Sequence, residues 1–196
     1  MRILVTGFNG YLANELIRNL FRHDIVLYRH DVRDLHMYSD IDMILHFASP
    51  SDNEEFNDTH KTSTTIIDGT INMVKIAQTN KCKLVYASTM GVHNPLLTDT
   101  YCICKAAMDN YIRSVYNNYI ILRIPRVYSK CRNKGLMKQI KNKSIPESDY
   151  NNVIKFISLE SFVQQTLPVL SNHNQVLEYD VNMSMSIREI EQWVTE

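Results

Sequence analysis

Met1-Arg-Ile-Leu-Val-Thr-Gly-Phe-Asn-Gly-Tyr-Leu-Ala-Asn-Glu15 is the stretch whose reading decides the fold. An apolar run, Ile3 to Val5, ends at Thr6-Gly7, and a helical pattern of apolar residues starts near Gly10. A strand, a tight turn and a helix N-terminus in succession form the geometry that holds a dinucleotide pyrophosphate. The helix offers unpaired N–H groups and the positive end of its dipole. Gly7 permits the turn, and Gly10 lets the backbone approach an anion with no Cβ between them. The third place of the spacing is Ala13. By itself, Gly-x-x-Gly-x-x-Ala fits a bend that binds nothing equally well.

The chain has 196 residues, enough for one domain with a substantial core. Twenty-one Lys and Arg balance twenty-one Asp and Glu, so no net field favours nucleic acid or an anionic membrane. No apolar run reaches the roughly 20 residues of a membrane span. The N-terminus lacks the cationic-then-apolar order of a secretory signal, and a cytoplasmic location is the expectation. Cys82, Cys102, Cys104 and Cys131 show no C-x-x-C spacing and no His cluster beside them. Reduced thiols acting as small apolar residues are expected, and no metal site.

Beyond the turn, Leu12, Leu16, Ile17 and Leu20 form a helical stripe, and Ile25–Tyr28 reads as a second strand. In a nucleotide-binding βαβ unit an acid at this strand's end would hold the ribose hydroxyls. Arg29 stands there instead, a residue that can neutralise a 2′-phosphate or simply face solvent. Between Tyr28 and Asp42 there is little room for a helix, a strand and a second helix. The outermost strand of a doubly wound sheet is therefore expected to be missing, a loss that costs only one neighbour its pairing.

Asp42–Phe47 is the next strand, followed by a polar loop over Pro50–Asn57 and a long helix over 58–79. Gly69-Thr70 inside that helix predicts a close approach to the sheet or to a partner helix. A strand over Lys83–Ala87 ends in Ser88-Thr89, a loop with Pro95 follows, then a helix over 101–117 and a strand over Tyr119–Ile124. Strands alternating with helices imply parallel pairing, burial on both faces and right-handed crossovers. The expected fold is α/β, a doubly wound parallel sheet with a trimmed edge, its dinucleotide-binding part spanning 1–128.

From Ser129 the texture changes to a basic stretch: Lys130, Arg132, Lys134, Lys138, Lys141 and Lys143. It lacks interleaved aromatics, so a solvated helix face or a few cations touching a substrate diphosphate is favoured over nucleic-acid binding. Strands at Val153–Ile157 and Val176–Tyr179, a helix between them and a last helix from Ser186 complete the tail. Residues 129–196 read as a small substrate-side lobe.

Tyr101-Cys-Ile-Cys-Lys105 places a phenol and an ammonium at i and i+4, on one face of a helix. A nearby cation favours phenolate and draws the phenol's pKa down towards working pH. A hydroxyl at the preceding strand end, Ser88 or Thr89, could orient a substrate oxygen. Together these groups can pass a proton to or from a carbinol while hydride moves to or from a nicotinamide. With eleven tyrosines in the chain the Tyr-x-x-x-Lys pattern alone carries no weight. Its value lies in order: glycine turn, Ser-Thr at a strand end, then the motif opening a helix.

With these residues in place, the chain resembles the extended short-chain dehydrogenase/reductase family, the NAD(P)-dependent nucleotide-sugar epimerase/dehydratase type, in a shortened form. The matching stretches are Val5 to Ala13, Asp31 to Asp34, His46 to Pro50, Gly69 to Met73, Val85 to Thr89, Tyr101 to Lys105 and Leu122 to Tyr128. His-Phe-Ala-Ser-Pro with the Gly-Thr-Ile-Asn-Met helix is most similar to UDP-glucuronate decarboxylase-like members. The resemblance implies a Rossmann fold and hydride transfer on a nucleotide-linked sugar. It makes Tyr101 the general acid/base, Lys105 its pKa-lowering and ribose-binding partner, and Thr89 the catalytic hydroxyl. It seats NAD or NADP, with Arg29 leaning towards NADP. The cofactor residues would be Gly7, Phe8, Asn9, Gly10, Tyr11, Leu12, Arg29, Asp31, Val32, Phe47, Ala48 and Ser49, together with Tyr101 and Lys105. It also implies a homodimer through the helices at 58–79 and 101–117.

The chain departs from that pattern at Ala13, at Ile66 where an asparagine is usual, and at Ile154-Lys155 where an Arg-Asp pair is usual. Only eleven residues separate Thr89 from Tyr101, and the chain stops soon after the Ser186 helix. The cofactor half looks intact and the substrate half reduced. A non-catalytic NAD(P)-binding sensor or partner subunit is therefore the alternative to an enzyme. Retention of both Tyr101 and Lys105 argues for the enzyme.

Overall fold

The computed structural model describes residues 1–51, 53–94, 96 and 99–195, without the side chains of residues 53 and 54. Pro95, read as part of the loop before Tyr101, lies outside them. In chain order the elements are β1 (Arg2–Thr6), α1 (Tyr11–Asn19), β2 (Asp24–Leu27), β3 (Met43–His46), α2 (Asn53–Phe56) and α3 (Thr59–Asn80). Then come β4 (Lys83–Thr89), α4 (Thr100–Val115), β5 (Tyr119–Ile124), β6 (Val127–Tyr128), α5 (Gly135–Lys141) and β7 (Val153–Ser158). The last four are α6 (Leu159–Val169), β8 (Gln175–Glu178), β9 (Met183–Ser186) and α7 (Ile187–Thr195).

Six strands form one sheet in the order β2-β1-β3-β4-β5-β8, every pairing parallel. Side chains alternate between its faces. Ile3, Val5, Leu45 and Val85 pack with Ala13 and Leu16 of α1 and Phe162 and Val163 of α6. Leu4, Ile44 and Tyr86 pack with Ile66, Met73 and Ile76 of α3 and Met108 and Ile112 of α4. A strand buried on both faces needs the near-continuous apolar run that the sequence shows.

The trimmed edge is present: β2 is the outermost strand, and no helix or strand occupies residues 28–42. Polar groups pin this bare crossover. Tyr28 Oη donates to Asp34 O at 2.5 Å and accepts from His36 N at 3.2 Å. Asn80, at the end of α3, donates to Tyr38 O at 2.8 Å and accepts from Ile41 N at 3.1 Å. The chain runs from β1 out to β2 and back across to β3. That reversal opens a crevice at the carboxyl ends of β1 and β3, where doubly wound sheets bind ligands.

The tail divides differently from the expected lobe. Gln175–Glu178 is the sixth strand of the main sheet, paired with β5, because Leu177 packs on one helical layer and Val176 on the other. α6, capped by Ser158 Oγ accepting from Ser161 N at 3.0 Å, lies against α1. Only β6, β7 and β9, with α5 and α7, form a separate small layer, closed around Met137, Ile140, Phe156, Ile187 and Ile190. Among the described residues no helix is long and apolar enough to cross a membrane.

Candidate active site

Parallel register brings the carboxyl ends of β1, β2, β3 and β4 to one edge of the sheet, and the sequence-chosen residues gather there. Gly7 has φ +65°, and a Cβ on it would lie 2.6 Å from Ala48 N and 2.7 Å from Phe47 C. Only glycine permits that contact. The packed turn is locked by Ala48 N donating to Thr6 Oγ1 at 3.1 Å. Gly10 N donates to Gly7 O at 2.8 Å, and a Cβ on Gly10 would meet that oxygen at 2.9 Å. α1 then starts with no side-chain cap on Gly10 and no acid in its first turn. Its leading N–H groups have no partner inside the helix. Phe8, Tyr11 and Leu12 are half-buried against the core, and Asn9 is exposed. A bare helix start behind a glycine cradle fits the pyrophosphate of a dinucleotide.

Asp31 and Val32 follow β2 after three residues. The Asp31 carboxylate is taken by Arg33, with Oδ1 accepting from Arg33 N and Nε at 2.9 Å each and Oδ2 from Nη2 at 2.5 Å. These bonds hold its pKa at about 2. Val32 is buried beneath Gly69, where a Cβ would lie 2.9 Å from Val32 Cγ2. Asn72 Nδ2 donates to Val32 O at 3.0 Å and Arg33 O at 2.9 Å. The close approach signalled by Gly69 is thus to the loop after β2. Exposed Arg29 stands beside the glycine turn, its guanidinium 5.8 Å from the centre of the Phe8 ring.

Tyr101 is the second residue of α4, whose start is capped by Asp99 Oδ1 accepting from Cys102 N at 2.7 Å. Its ring stacks on Phe56 of α2 with centroids 4.6 Å apart, and Ser49 lies near its hydroxyl. One turn on, Lys105 is buried. Its Nζ donates to Ala87 O at 2.6 Å and lies 5.6 Å from the Tyr101 ring centre and 4.7 Å from that of Tyr86.

The structure brings the pair together but does not give the expected acidified phenol. Burial pushes Tyr101 up to about 12 and Lys105 down to about 7. Desolvation outweighs charge here because each ionised form has lost its water, and the Lys105 ammonium is directed to a carbonyl. The phenol is therefore protonated at neutral pH, which suits a proton donor. Thr89 Oγ1 accepts from Gly91 N at 3.1 Å. Beside it, buried Ser88 Oγ has no hydrogen-bond partner among the described residues.

Two groups of this edge are absent from the sequence-chosen set. His46 ends β3 with Nδ1 2.7 Å from Thr6 Oγ1 and Nε2 3.2 Å from Thr70 Oγ1. Thr6 Oγ1 also accepts from Ala48 N, so the His46 ring, both threonine hydroxyls and the Ala48 backbone form one buried network. Burial, helped by the Lys105 charge, lowers His46 to about 3 and keeps it neutral. Asp109, four residues beyond Lys105, is buried and receives Arg123 Nε at 2.9 Å, while Arg123 Nη1 reaches Glu178 Oε1 at 2.8 Å. A polar residue closing an apolar run, and an acid at i+8 from Tyr101, are the signals that could have marked them.

The profile of the NAD dependent epimerase/dehydratase family matches residues 3–147. The chain belongs to this family. Its fold is that of solved enzymes of low sequence identity. One is a dTDP-glucose 4,6-dehydratase of Streptomyces venezuelae with NAD bound, 17% identical with TM-score 0.83, covering 99% of this chain and 80% of that one. Another is a UDP-glucose 4-epimerase of Thermus thermophilus in complex with NAD, 16% identical with TM-score 0.80, covering 100% and 82%. A third is a dTDP-4-dehydrorhamnose reductase of Bacillus anthracis in complex with NADP, 19% identical with TM-score 0.80, covering 98% and 79%. No curated protein sequence matches the chain. A nicotinamide dinucleotide is the cofactor class of the family.

Proposed function

We propose that this family member is an NAD(P)-dependent enzyme acting on a nucleotide-linked sugar, with Tyr101 carrying the proton. The observation that bears most weight is the placing of Tyr101 and Lys105 on one face of α4. They stand beside Ser88-Thr89 and share an edge with the uncapped glycine turn. The bound nicotinamide would supply hydride exchange. Gly7, Gly10 and the first turn of α1 would hold the pyrophosphate, and Lys105 a ribose hydroxyl. Tyr101, uncharged at rest, would give its proton to a carbonyl oxygen as hydride reaches the carbon, and recover it in the reverse sense. The unpaired Ser88 Oγ, next to Thr89, supports a hydroxyl contact to substrate at this strand end.

Arg29 over Phe8 supports NADP over NAD, because a guanidinium can pair a 2′-phosphate bidentately. A homodimer through α3 and α4 belongs to the same reading, supported by the exposed apolar Ile103 and Val115 on α4. So does a cytoplasmic location, in line with four unpaired cysteines.

A second reading, a non-catalytic NAD(P)-binding sensor or partner subunit, is favoured by the Phe56 ring lying over Tyr101. One experiment separates them. Purified protein is titrated with NADH and NADPH and then offered a panel of nucleotide sugars. The enzyme reading expects binding, exchange of the nicotinamide between redox states, and a Tyr101→Phe variant that binds within about twofold yet turns over 10²–10⁴-fold more slowly. Binding without redox chemistry on any sugar establishes the sensor. Absence of binding to both dinucleotides defeats both.

A further inference from the structure

The basic stretch after β6 sends one residue to the glycine turn. Arg132 is half-buried, its guanidinium 5.1 Å from the centre of the Tyr11 ring and one Nη donating to Val127 O at 3.3 Å. Tyr11 is the first residue of α1. The Arg29 guanidinium likewise lies 5.8 Å from the centre of the Phe8 ring. Two aromatic residues of one turn thus each carry an arginine, one from the end of β2 and one from the tail.

No carboxylate pairs with either guanidinium among the described residues, and the nearby Glu15 is engaged by Arg18 at 3.4 Å. The first turn of α1 contains no acid. Two cations therefore stand at the positive end of a helix dipole, an arrangement that repels itself until an anion arrives. The contact with the Tyr11 ring and the bond to Val127 O hold Arg132 at the turn and leave guanidinium N–H groups for a bidentate acceptor.

We propose that Arg132 is a pyrophosphate-binding residue, its guanidinium on Tyr11 closing over the diphosphate of a dinucleotide seated at the start of α1. This rests on the cofactor reading above. The diphosphate is the cofactor's and not the substrate's, because Tyr11 belongs to the glycine turn, whereas Ser88 and Tyr101 lie on β4 and α4. The tail would then complete the cofactor site as well as the substrate side.

The test is isothermal titration of wild type, Arg132→Gln and Arg132→Lys with NADH, NADPH, ADP-ribose and UDP at low and moderate salt, with melting curves recorded without ligand. ADP-ribose carries the diphosphate without the nicotinamide. Arg132→Gln is expected to weaken NADH, NADPH and ADP-ribose alike, by about tenfold, with a shallower salt dependence. Arg132→Lys should fall between, UDP should be unaffected, and the unliganded melting temperature should hold. Equal dinucleotide affinity in wild type and Arg132→Gln overturns the assignment. A loss confined to UDP also overturns it and moves the residue to the substrate side. If Arg132→Gln does not fold, wild-type affinity in Arg132→Lys is the overturning result. Wild-type protein that binds neither dinucleotide nor ADP-ribose defeats the cofactor reading itself.

Discussion

Phe56 stacks on Tyr101, ring centroids 4.6 Å apart and planes 29° from parallel. The helix that carries Phe56 is tied across the cleft by Lys134, whose Nζ donates to Glu55 Oε1 at 2.9 Å and Ser51 Oγ at 3.1 Å. This cover excludes water from the phenol and is part of why Tyr101 stands at about 12. Phe56→Ala is expected to move Tyr101 back towards its ordinary value of 10.0. Carbon-13 NMR of ring-labelled tyrosine, with Tyr101→Phe identifying the signal, measures it. A Tyr101 titration unmoved by the substitution would show that Phe56 does not control its solvation.

Lys105 is a buried amine whose charged form costs stability. Its pKa is about 7 in the fold against an ordinary 10.5. The unfolded chain therefore binds a proton between those values that the native state does not, and stability rises with pH across this window. From pH 7 to 9 the gain is about 2 kcal/mol by linkage. Lys105→Met should lack this rise, unfold at higher denaturant than wild type at pH 7, and bind dinucleotide weakly. Urea melts at the two pH values, with NADPH titration, check all three.

His46 works in the same sense on the acid side. It stays neutral in the fold down to about 3, while an unfolded histidine protonates near 6.5. Its stabilising contribution is complete above pH 6.5 and is lost as pH falls towards 3. Between pH 6.5 and 5 the loss is about 2 kcal/mol. His46→Gln, which keeps polar atoms for Thr6 and Thr70, should be less stable at neutral pH and less acid-sensitive. Parallel denaturant slopes for both proteins over that pH interval would contradict the neutral, doubly hydrogen-bonded ring.

Arg29 separates the two dinucleotides. Because it is exposed and meets the turn at the Phe8 ring, its removal should spare the fold. Arg29→Ala is expected to weaken NADPH about tenfold and leave NADH within about twofold. Equal losses for both would make it a general phosphate contact, and no loss for either a solvated surface residue.

Much of the fold was legible because its causes are local. The apolar run at Ile3–Val5, the glycines at 7 and 10 and the helical stripe behind them specify strand, turn and helix by backbone sterics and side-chain periodicity. The short span from Tyr28 to Asp42 had little room for a helix, a strand and a second helix, and arithmetic on chain length was enough to say so. The order of the candidate site was legible too, since parallel strands bring Gly7, Ser49 and Thr89 to one edge and α4 brings Tyr101. Val176–Tyr179 was misplaced because a short apolar strand does not reveal which sheet edge it pairs with. That depends on the open flank of β5.

By itself, then, the sequence determined the doubly wound sheet, its missing edge strand and the helix bearing Tyr101 and Lys105. Tertiary structure alone shifted those two side chains, Tyr101 upward and Lys105 downward, through burial. It alone made His46 a buried link between Thr6 and Thr70, and brought Arg132 to Tyr11 across 121 residues of chain. The reason is physical. Backbone conformation answers to neighbours a few residues away, whereas desolvation and charge depend on whatever the fold packs within a few ångströms, from any distance along the chain.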